Sequence, residues 1–179
     1  MAVHELDVLK DIPANVLTSN IMNAFAEAAV VCLDNQGHKS GVELEIIGHL
    51  NSHIILSWSD EITPQIKDAW HDLQETTEYG ATYLAILIIY RLTPFKVIER
   101  SLKRTGFDYW LGEKEDEAYP FQKKARLEIS GILQENKGNT IARRADIKLT
   151  QTKQSDDLDL PAYIVIVEFS KPRSWVEKK

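Results

Sequence analysis

Two acidic residues lie in segments that otherwise have the pattern of buried β-strands. The segment 107–112 reads FDYWLG and carries Asp108 at its start, and the segment 125–132 reads ARLEISGI and carries Glu128 near its middle. A buried carboxylate costs free energy unless it is paired or coordinates a cation. Two carboxylates on neighbouring strands would suit Mg²⁺, which prefers oxygen ligands in octahedral geometry. The pair therefore predicts metal-dependent phosphodiester chemistry.

The same two acids also have a structural interpretation. Asp108 would close the tight turn that contains KRTG, because Asp and Gly favour turns. Glu128 would form a buried ion pair, for which the sequence offers Arg100, Arg126 and Arg144. The residues alone leave both interpretations open.

The elements that must position these acids follow a regular order. A helix is predicted from Pro64 to about Arg91, because Pro is favoured at the first helical position. Three strands are predicted within 95–132, followed by a helix over 140–153 and a β-branched, apolar strand over 163–169. The order is therefore helix, strand, strand, strand, helix, strand.

Two details of the predicted helices concern the site. Gly80 lies inside the first of them, where it costs about 1 kcal/mol relative to Ala. We therefore expect either a close contact between that helix and the sheet or a break in the helix. In the second helix, Arg144 and Lys148 are spaced by four residues and are expected on the outer side, with Ile141 and Ala145 facing inward.

The N-terminal part adds a helix and a hairpin. The spacing of apolar residues predicts a helix over 19–33, which Ser19 or Asn20 would cap. Segment 42–47 alternates apolar and acidic residues, as a strand with one solvated face would. A turn-rich connection separates it from segment 54–58, so the two segments are predicted as antiparallel partners.

These elements predict an α+β fold with a mixed central sheet flanked by helices. No low-complexity linker divides the chain, so we expect one domain over 1–179. Its parts would be an N-terminal helix and hairpin (1–62), a core that carries the acids (63–170) and a loose tail (171–179).

The element order, with Asp108 in FDYW and Glu128 in LEIS, resembles the restriction-endonuclease-like nuclease superfamily, the PD-(D/E)xK group. The resemblance spans roughly the second two thirds of the chain. It implies an αβββαβ core in which an Asp that starts the second strand and a Glu on the third hold Mg²⁺. Asp108 and Glu128 would be those catalytic metal ligands, and Glu78 on the preceding helix would assist them.

Two positions depart from the motif of that superfamily. Phe rather than Pro precedes the first acid, and Ser130 stands where the motif has its catalytic lysine. Serine supplies no positive charge to a phosphate. Lys124 and Arg126 share a strand face with Glu128 by alternation and would substitute for the lysine. The alternatives are catalysis with a relocated base or a site that only binds.

The charge distribution suggests where a partner would bind. The net charge is −6, but residues 1–90 carry −10 and residues 91–179 carry +4. A polyanion such as nucleic acid would meet the second half, where basic residues alternate with aromatic ones. A second hypothesis is a non-catalytic interaction module whose acidic first half docks a partner or forms a homodimer. A third is a nucleic-acid binder without a metal.

Other classes of protein are disfavoured. The single cysteine, Cys32, excludes a disulfide framework or a cysteine-based zinc site within the chain and is expected in the core. The polar N-terminus does not predict a signal peptide, and the apolar run 83–90 is too short to cross a bilayer. We therefore expect a cytoplasmic protein without a membrane partner. Motifs of P-loop, dinucleotide-binding and serine-hydrolase proteins are absent from the sequence.

Overall fold

Eight strands pair into one mixed sheet, and helices pack on both of its faces. The computed structural model describes residues 2–5 (backbone only), 17–59, 61–114 and 122–179. Most of the polar N-terminus and the acidic segment 115–121, which the sequence predicts as a loop, therefore lie outside the described residues. The prediction of an α+β fold with a mixed sheet flanked by helices is confirmed.

The strands in chain order are β1 (Ala2–Glu5), β2 (Val42–Gly48), β3 (Ser52–Ser57), β4 (Phe95–Arg100), β5 (Tyr109–Glu113), β6 (Ala125–Ile132), β7 (Ala162–Glu168) and β8 (Arg173–Lys178). The helices are α1 (Ser19–Asn35), α2 (Pro64–Ala69), α3 (Leu73–Leu92) and α4 (Ile141–Gln151), which continues into a 3-10 helix (Thr152–Leu158). Across the sheet the strand order is β1-β3-β2-β8-β7-β6-β5-β4.

Strand pairing changes once from antiparallel to parallel in the region that carries the two acids. Strands β4, β5 and β6 form an antiparallel meander, and β6 then pairs in parallel with β7. Helix α4 lies between β6 and β7 in the chain, as a parallel crossover requires. Helix α3 precedes the meander, so the predicted order of helices and strands is present in this region.

The core has two unequal layers. Helices α1 and α3 cover one face of the sheet and form the larger layer, which includes Leu84, Leu127 and Val165. Helix α4 covers β6 and β7 on the other face through a smaller apolar cluster. Ile141 and Ala145 belong to that cluster, as predicted. Strand β6 is consequently buried on both faces, and its alternate residues Arg126, Glu128 and Ser130 bring polar groups into the layer beneath α4.

Two local predictions about the helix boundaries were wrong. Thr18, rather than Ser19 or Asn20, caps α1, and its hydroxyl accepts from the Ile21 amide. The predicted helix from Pro64 is two helices, because Asp72 caps a new one by accepting from the amides of Gln74 and Glu75.

Gly80 does not break α3, and the close contact of this residue is with another helix. A Cβ at this position would lie 2.9 Å from the Cα of Ala29, so Gly80 permits close packing of α3 against α1.

The tail was predicted as loose, and this prediction was wrong. Residues 173–178 form β8, which pairs antiparallel with β7 and parallel with β2. Ser174 and Val176 are fully buried in it. The many charged residues of this segment hid its alternation, and its partners lie far away in the chain. Strand β8 therefore joins the N-terminal hairpin to the rest of the sheet.

Two further expectations concern burial. Cys32 is fully buried, and burial raises the pKa of its thiol to about 12, which makes it an inert core residue. Among the described residues, no helix has the length and apolar character that crossing a membrane requires.

Candidate functional site

Strand β6 extends beyond its antiparallel neighbour, and Asp108 lies at the point where the pairing stops. The last ladder bond at this end joins the Asp108 amide to the Leu127 carbonyl at 2.8 Å. One residue further along, the Ile129 amide donates to Oδ2 of Asp108, also at 2.8 Å. The Asp108 side chain thus replaces a strand as the partner of β6, and beyond it the edge of β6 is open to solvent.

A cleft of about 640 Å³ surrounds this open edge. Helix α3 forms one wall and α4 the other. The first wall approaches closely because Gly131 has no side chain, and a Cβ there would lie 2.6 Å from the Thr77 carbonyl oxygen. The polar residues that line the cleft include Glu78, Arg100, Asp108, Ser130, Asn139, Arg144 and Lys148.

Glu128 lies beneath the cleft on the face of β6 that meets α4. Its side chain is fully buried. The ammonium group of Lys148 on α4 donates to Oε1 in a short ion pair. The other oxygen, Oε2, is buried and receives no hydrogen bond from any residue described in the structure. Since most buried polar atoms in proteins have partners, an unsatisfied carboxylate oxygen here requires an explanation.

The two acids influence each other's ionisation. Burial and, after it, the nearby Asp108 charge together raise the pKa of Glu128 to about 8, while Lys148 opposes the shift. Burial also raises the pKa of Asp108, against the lowering effects of the Ile129 amide and of Lys148. The interaction between the two carboxyls also contributes, lowering the pKa of Asp108 and raising that of Glu128. The ionisation of Asp108 and that of Glu128 are therefore electrostatically coupled.

These oxygens fit a hard divalent cation. Two interacting carboxyls, one with a buried unsatisfied oxygen, are the donors that Mg²⁺ uses, and this ion usually keeps several waters besides one or two carboxylates. Within the described parts of the chain, no group of three or more His, Cys, Asp or Glu side chains is placed to hold a metal ion. Among the described His, Cys, Asp and Glu side chains, Asp108 and Glu128 would therefore be the pair that holds the ion.

The structure brings some of the predicted site residues together and separates others. Glu78 is exposed on α3 and lines the same cleft as Asp108. Lys124 precedes β6 at the end remote from Ser130 and is not among the described residues that line the cleft. The third predicted cation, Arg126, is directed elsewhere.

Arg126 is buried, and its guanidinium donates to the carbonyl oxygens of Ser155 and Leu160 at 2.6 Å each. These bonds hold the 3-10 helix and the following loop against β6. The alternation that places Arg126 on the same face as Glu128 is correct, but the side chain extends away from the cleft.

The prediction that Arg144 and Lys148 face outward was wrong. Lys148 bonds Glu128, and Arg144 donates to Oδ1 of Asn139 at 2.7 Å and to Oγ of Ser130 at 3.4 Å. Both basic side chains lie in the cleft because α4 crosses β6 beside its open edge. The signal available in the sequence was the spacing of two bases by four residues on a helix that follows a strand with a buried acid.

The aromatic residues near Asp108 do not form an open stacking surface. Phe107 and Tyr109 are buried with Leu111 in the core. Trp110 packs edge-on against the Phe107 ring at 4.6 Å between centroids, and the Lys123 ammonium lies 4.4 Å from its ring. The rings of Phe107 and Trp110 are therefore engaged in packing, whereas other aromatic residues, Phe25 and Tyr79, line the cleft.

In comparisons with known proteins, no family model, no curated protein and no solved structure matches the chain.

Proposed function

We propose that this protein is a divergent metal-dependent nuclease, or a nucleic-acid-binding descendant of one, with a restriction-endonuclease-like core. The observation that carries the proposal is the buried, unsatisfied Oε2 of Glu128, next to Asp108 under an open cleft. A fold does not retain such an oxygen for stability, because it costs free energy without a partner. A bound cation would supply that partner.

The order and pairing of the elements support the same proposal. Helix α3, the meander β4-β5-β6, helix α4 and the parallel strand β7 correspond to the αβββαβ order of the superfamily. Asp108 immediately precedes the second strand of this series and Glu128 lies on the third. Their places in the fold are those that the resemblance assigns to the two metal ligands.

Asp108 and Glu128 would hold Mg²⁺, which when bound neutralises charge on a phosphate and lowers the pKa of a water ligand. Lys148 supplies the positive charge that Ser130 lacks, from the helix that faces the strand. Arg144, held by Asn139, provides a planar donor for phosphate oxygens in the same cleft.

The acid Glu78, exposed on the opposite wall, would assist by accepting a hydrogen bond from the attacking water. It has the role that the resemblance gives to a helical acid. Lys148 and Arg144 replace Lys124 and Arg126 as the cations of the proposed mechanism, because they line the cleft with Asp108.

The test is cleavage of labelled DNA and RNA with Mg²⁺ or Mn²⁺ added. We expect Asp108→Asn and Glu128→Gln each to lower the rate on the order of 10³-fold, through loss of a ligand charge. Lys148→Gln should lower it on the order of 10²-fold, through loss of one phosphate-stabilising cation. Glu43→Gln is the matched control, since Glu43 is exposed on β2. Cleavage that survives Asp108→Asn would refute the proposed mechanism.

A non-catalytic interaction module is the second candidate. Glu43 and Glu45 are exposed on β2, with the same strand's Leu44 buried between them, so this hairpin presents an acidic face. Such a face would dock a basic partner or a second copy of the chain. Calorimetry with Mg²⁺ separates the candidates, because a module of this kind should give no heat of binding that depends on Asp108.

A further inference from the structure

A second cleft adjoins the first. It has a volume of about 330 Å³ and shares Arg100 and Asp108 with the cleft above Glu128. Its remaining wall comes from the turn between β4 and β5 and from Gln151 and Gln154. We call residues 101–106, SLKRTG, the basic turn. A chain-like ligand that passes Asp108 would continue onto this turn.

The basic turn is held in one conformation by its own side chains and by α4. The hydroxyls of Ser101 and Thr105 lie 2.7 Å apart, and Thr105 Oγ1 donates to the Leu102 carbonyl at 2.9 Å. Gly106 has a φ of +85°, and a Cβ there would lie 2.6 Å from the Gln151 carbonyl oxygen. The turn therefore packs directly on the end of the helix that carries Lys148.

The side chains at the outer side of this turn are available for binding. Leu102 is 81% exposed, the highest value among the exposed large hydrophobic residues described. Lys103 and Arg104 are exposed, and neither forms an ion pair with any residue that the structure describes. The exposed side chain of Leu102 therefore adds nothing to the core, and Lys103 and Arg104 neutralise no acidic partner among the described residues.

We propose that the basic turn grips a polynucleotide strand on one side of the bond that is cleaved. Lys103 and Arg104 bind the phosphates that flank the site, and Leu102 packs against or between the adjacent bases. Phosphate contacts by Lys and Arg position a strand, and apolar side chains inserted between bases unstack them. This inference rests on the proposed function in one respect, which is that the strand is cleaved in the first cleft.

The experiment compares two double variants of equal charge. Lys103→Gln with Arg104→Gln removes the cations of the turn. Lys39→Gln with Arg91→Gln removes one exposed Lys and one exposed Arg that line neither cleft. Binding is measured by fluorescence anisotropy in EDTA, so that cleavage does not interfere, with a labelled DNA strand, DNA duplex and RNA strand as probes.

The turn variant should bind its preferred probe on the order of tenfold more weakly, and the slope of log K against log salt should decrease by about 2, one contact per cation. The control should bind as the wild type does. Among the probes, the tightest identifies whether the strand is DNA or RNA. Equal loss in both variants, no loss in the turn variant, or a wild type that binds none of the probes would overturn the proposal.

Leu102→Ala tests the base contact separately. With 2-aminopurine placed along the strand, wild-type binding should raise its fluorescence at one position through unstacking, and the variant should lose that rise while keeping its affinity within about threefold. A rise that persists in the variant overturns the role of Leu102. Binding that depends on the turn without any cleavage would refute the proposed catalysis alone, whereas cleavage that needs Asp108 but not the turn would refute this inference alone.

Discussion

Two glutamates on neighbouring parallel strands have the same burial and opposite surroundings. Glu128 on β6 and Glu168 on β7 are both fully buried. In Glu168, Oε1 accepts from the Ser170 amide at 3.0 Å and from the Ser170 hydroxyl, and Oε2 accepts from the Lys171 amide at 2.9 Å. Arg173 lies 3.8 Å from the same carboxylate. Both oxygens of Glu168 thus have partners from the turn that follows it.

Glu128 has only one of its oxygens satisfied, by Lys148, and its nearest titrating neighbour is another acid. The difference separates two reasons for burying a carboxylate. Glu168 organises a turn, and the protein gains stability from it. Glu128 keeps a buried oxygen that has no partner among the described residues, and perturbed acidic groups of this kind cluster at functional sites.

The largest expected effect comes from the same substitution at both positions. In Glu168→Gln, either orientation of the amide points its NH₂ at a backbone N–H, so one buried donor loses its acceptor. The expected loss is about 3 kcal/mol in the free energy of unfolding. In Glu128→Gln, the amide oxygen still accepts from Lys148 and the NH₂ is free to donate to Asp108, so the loss should be below about 1 kcal/mol.

Urea denaturation near pH 6 measures both values. The comparison holds only if Glu168→Gln is clearly the more damaging change. Equal destabilisation by the two variants would mean that Glu128 is also a structural residue.

The next effect is the pH dependence of stability. The folded-state pKa of Glu128, about 8, lies above its ordinary value of 4.5, so the stability that the protonated form contributes is complete below pH 4.5 and is lost as the pH rises towards 8. Glu128→Gln removes this titration. Between about pH 5 and pH 8, the wild type should therefore lose on the order of 3 kcal/mol relative to the variant. Parallel stability profiles for the two proteins would contradict the raised pKa.

Magnesium should restore part of the stability that the wild type loses as the pH rises, and this effect is expected to be somewhat smaller than the pH effect itself. An ion that binds only the folded protein stabilises it by about 2.7 kcal/mol at a hundredfold excess over Kd. Because the ion displaces a proton from Glu128, the rise in Tm should be larger near pH 9 than near pH 6. Scanning calorimetry of the wild type and of Glu128→Gln measures this, and the variant should show no rise. An equal rise in the variant would place the ion elsewhere.

Much of this arrangement could be predicted from local sequence. The alternation of apolar and polar residues along β6, the Asp before β5 and the order of helices and strands are all short-range signals. They were sufficient for the fold class and for the pair of carboxylates, because each acid lies in a segment whose burial follows from its own neighbours in the chain.

The cations of the site could not be predicted in this way. Helical periodicity identifies the apolar stripe of α4 but does not show that its polar side meets the open edge of β6. Strand alternation likewise places Arg126 on the face of Glu128 but does not show that the carbonyl oxygens of Ser155 and Leu160 bind its guanidinium away from the cleft. The position of β8 had the same difficulty, since β2 and β7 pair with it over long distances in the sequence.

The smallest expected effect concerns the motif position that lacks a lysine. Ser130 accepts only a long hydrogen bond from Arg144, which Asn139 holds more tightly. Ser130→Ala should therefore change the free energy of unfolding by less than about 0.5 kcal/mol and the cleavage rate by less than about threefold. If Lys148→Gln strongly lowers the cleavage rate and Ser130→Ala does not, the positive charge of the site comes from helix α4 and not from strand β6. A rate loss as large as that of Lys148→Gln would instead make Ser130 a direct participant in the reaction. Catalysis next to Glu128 would then depend on a side chain of β6 rather than on the lysine of α4.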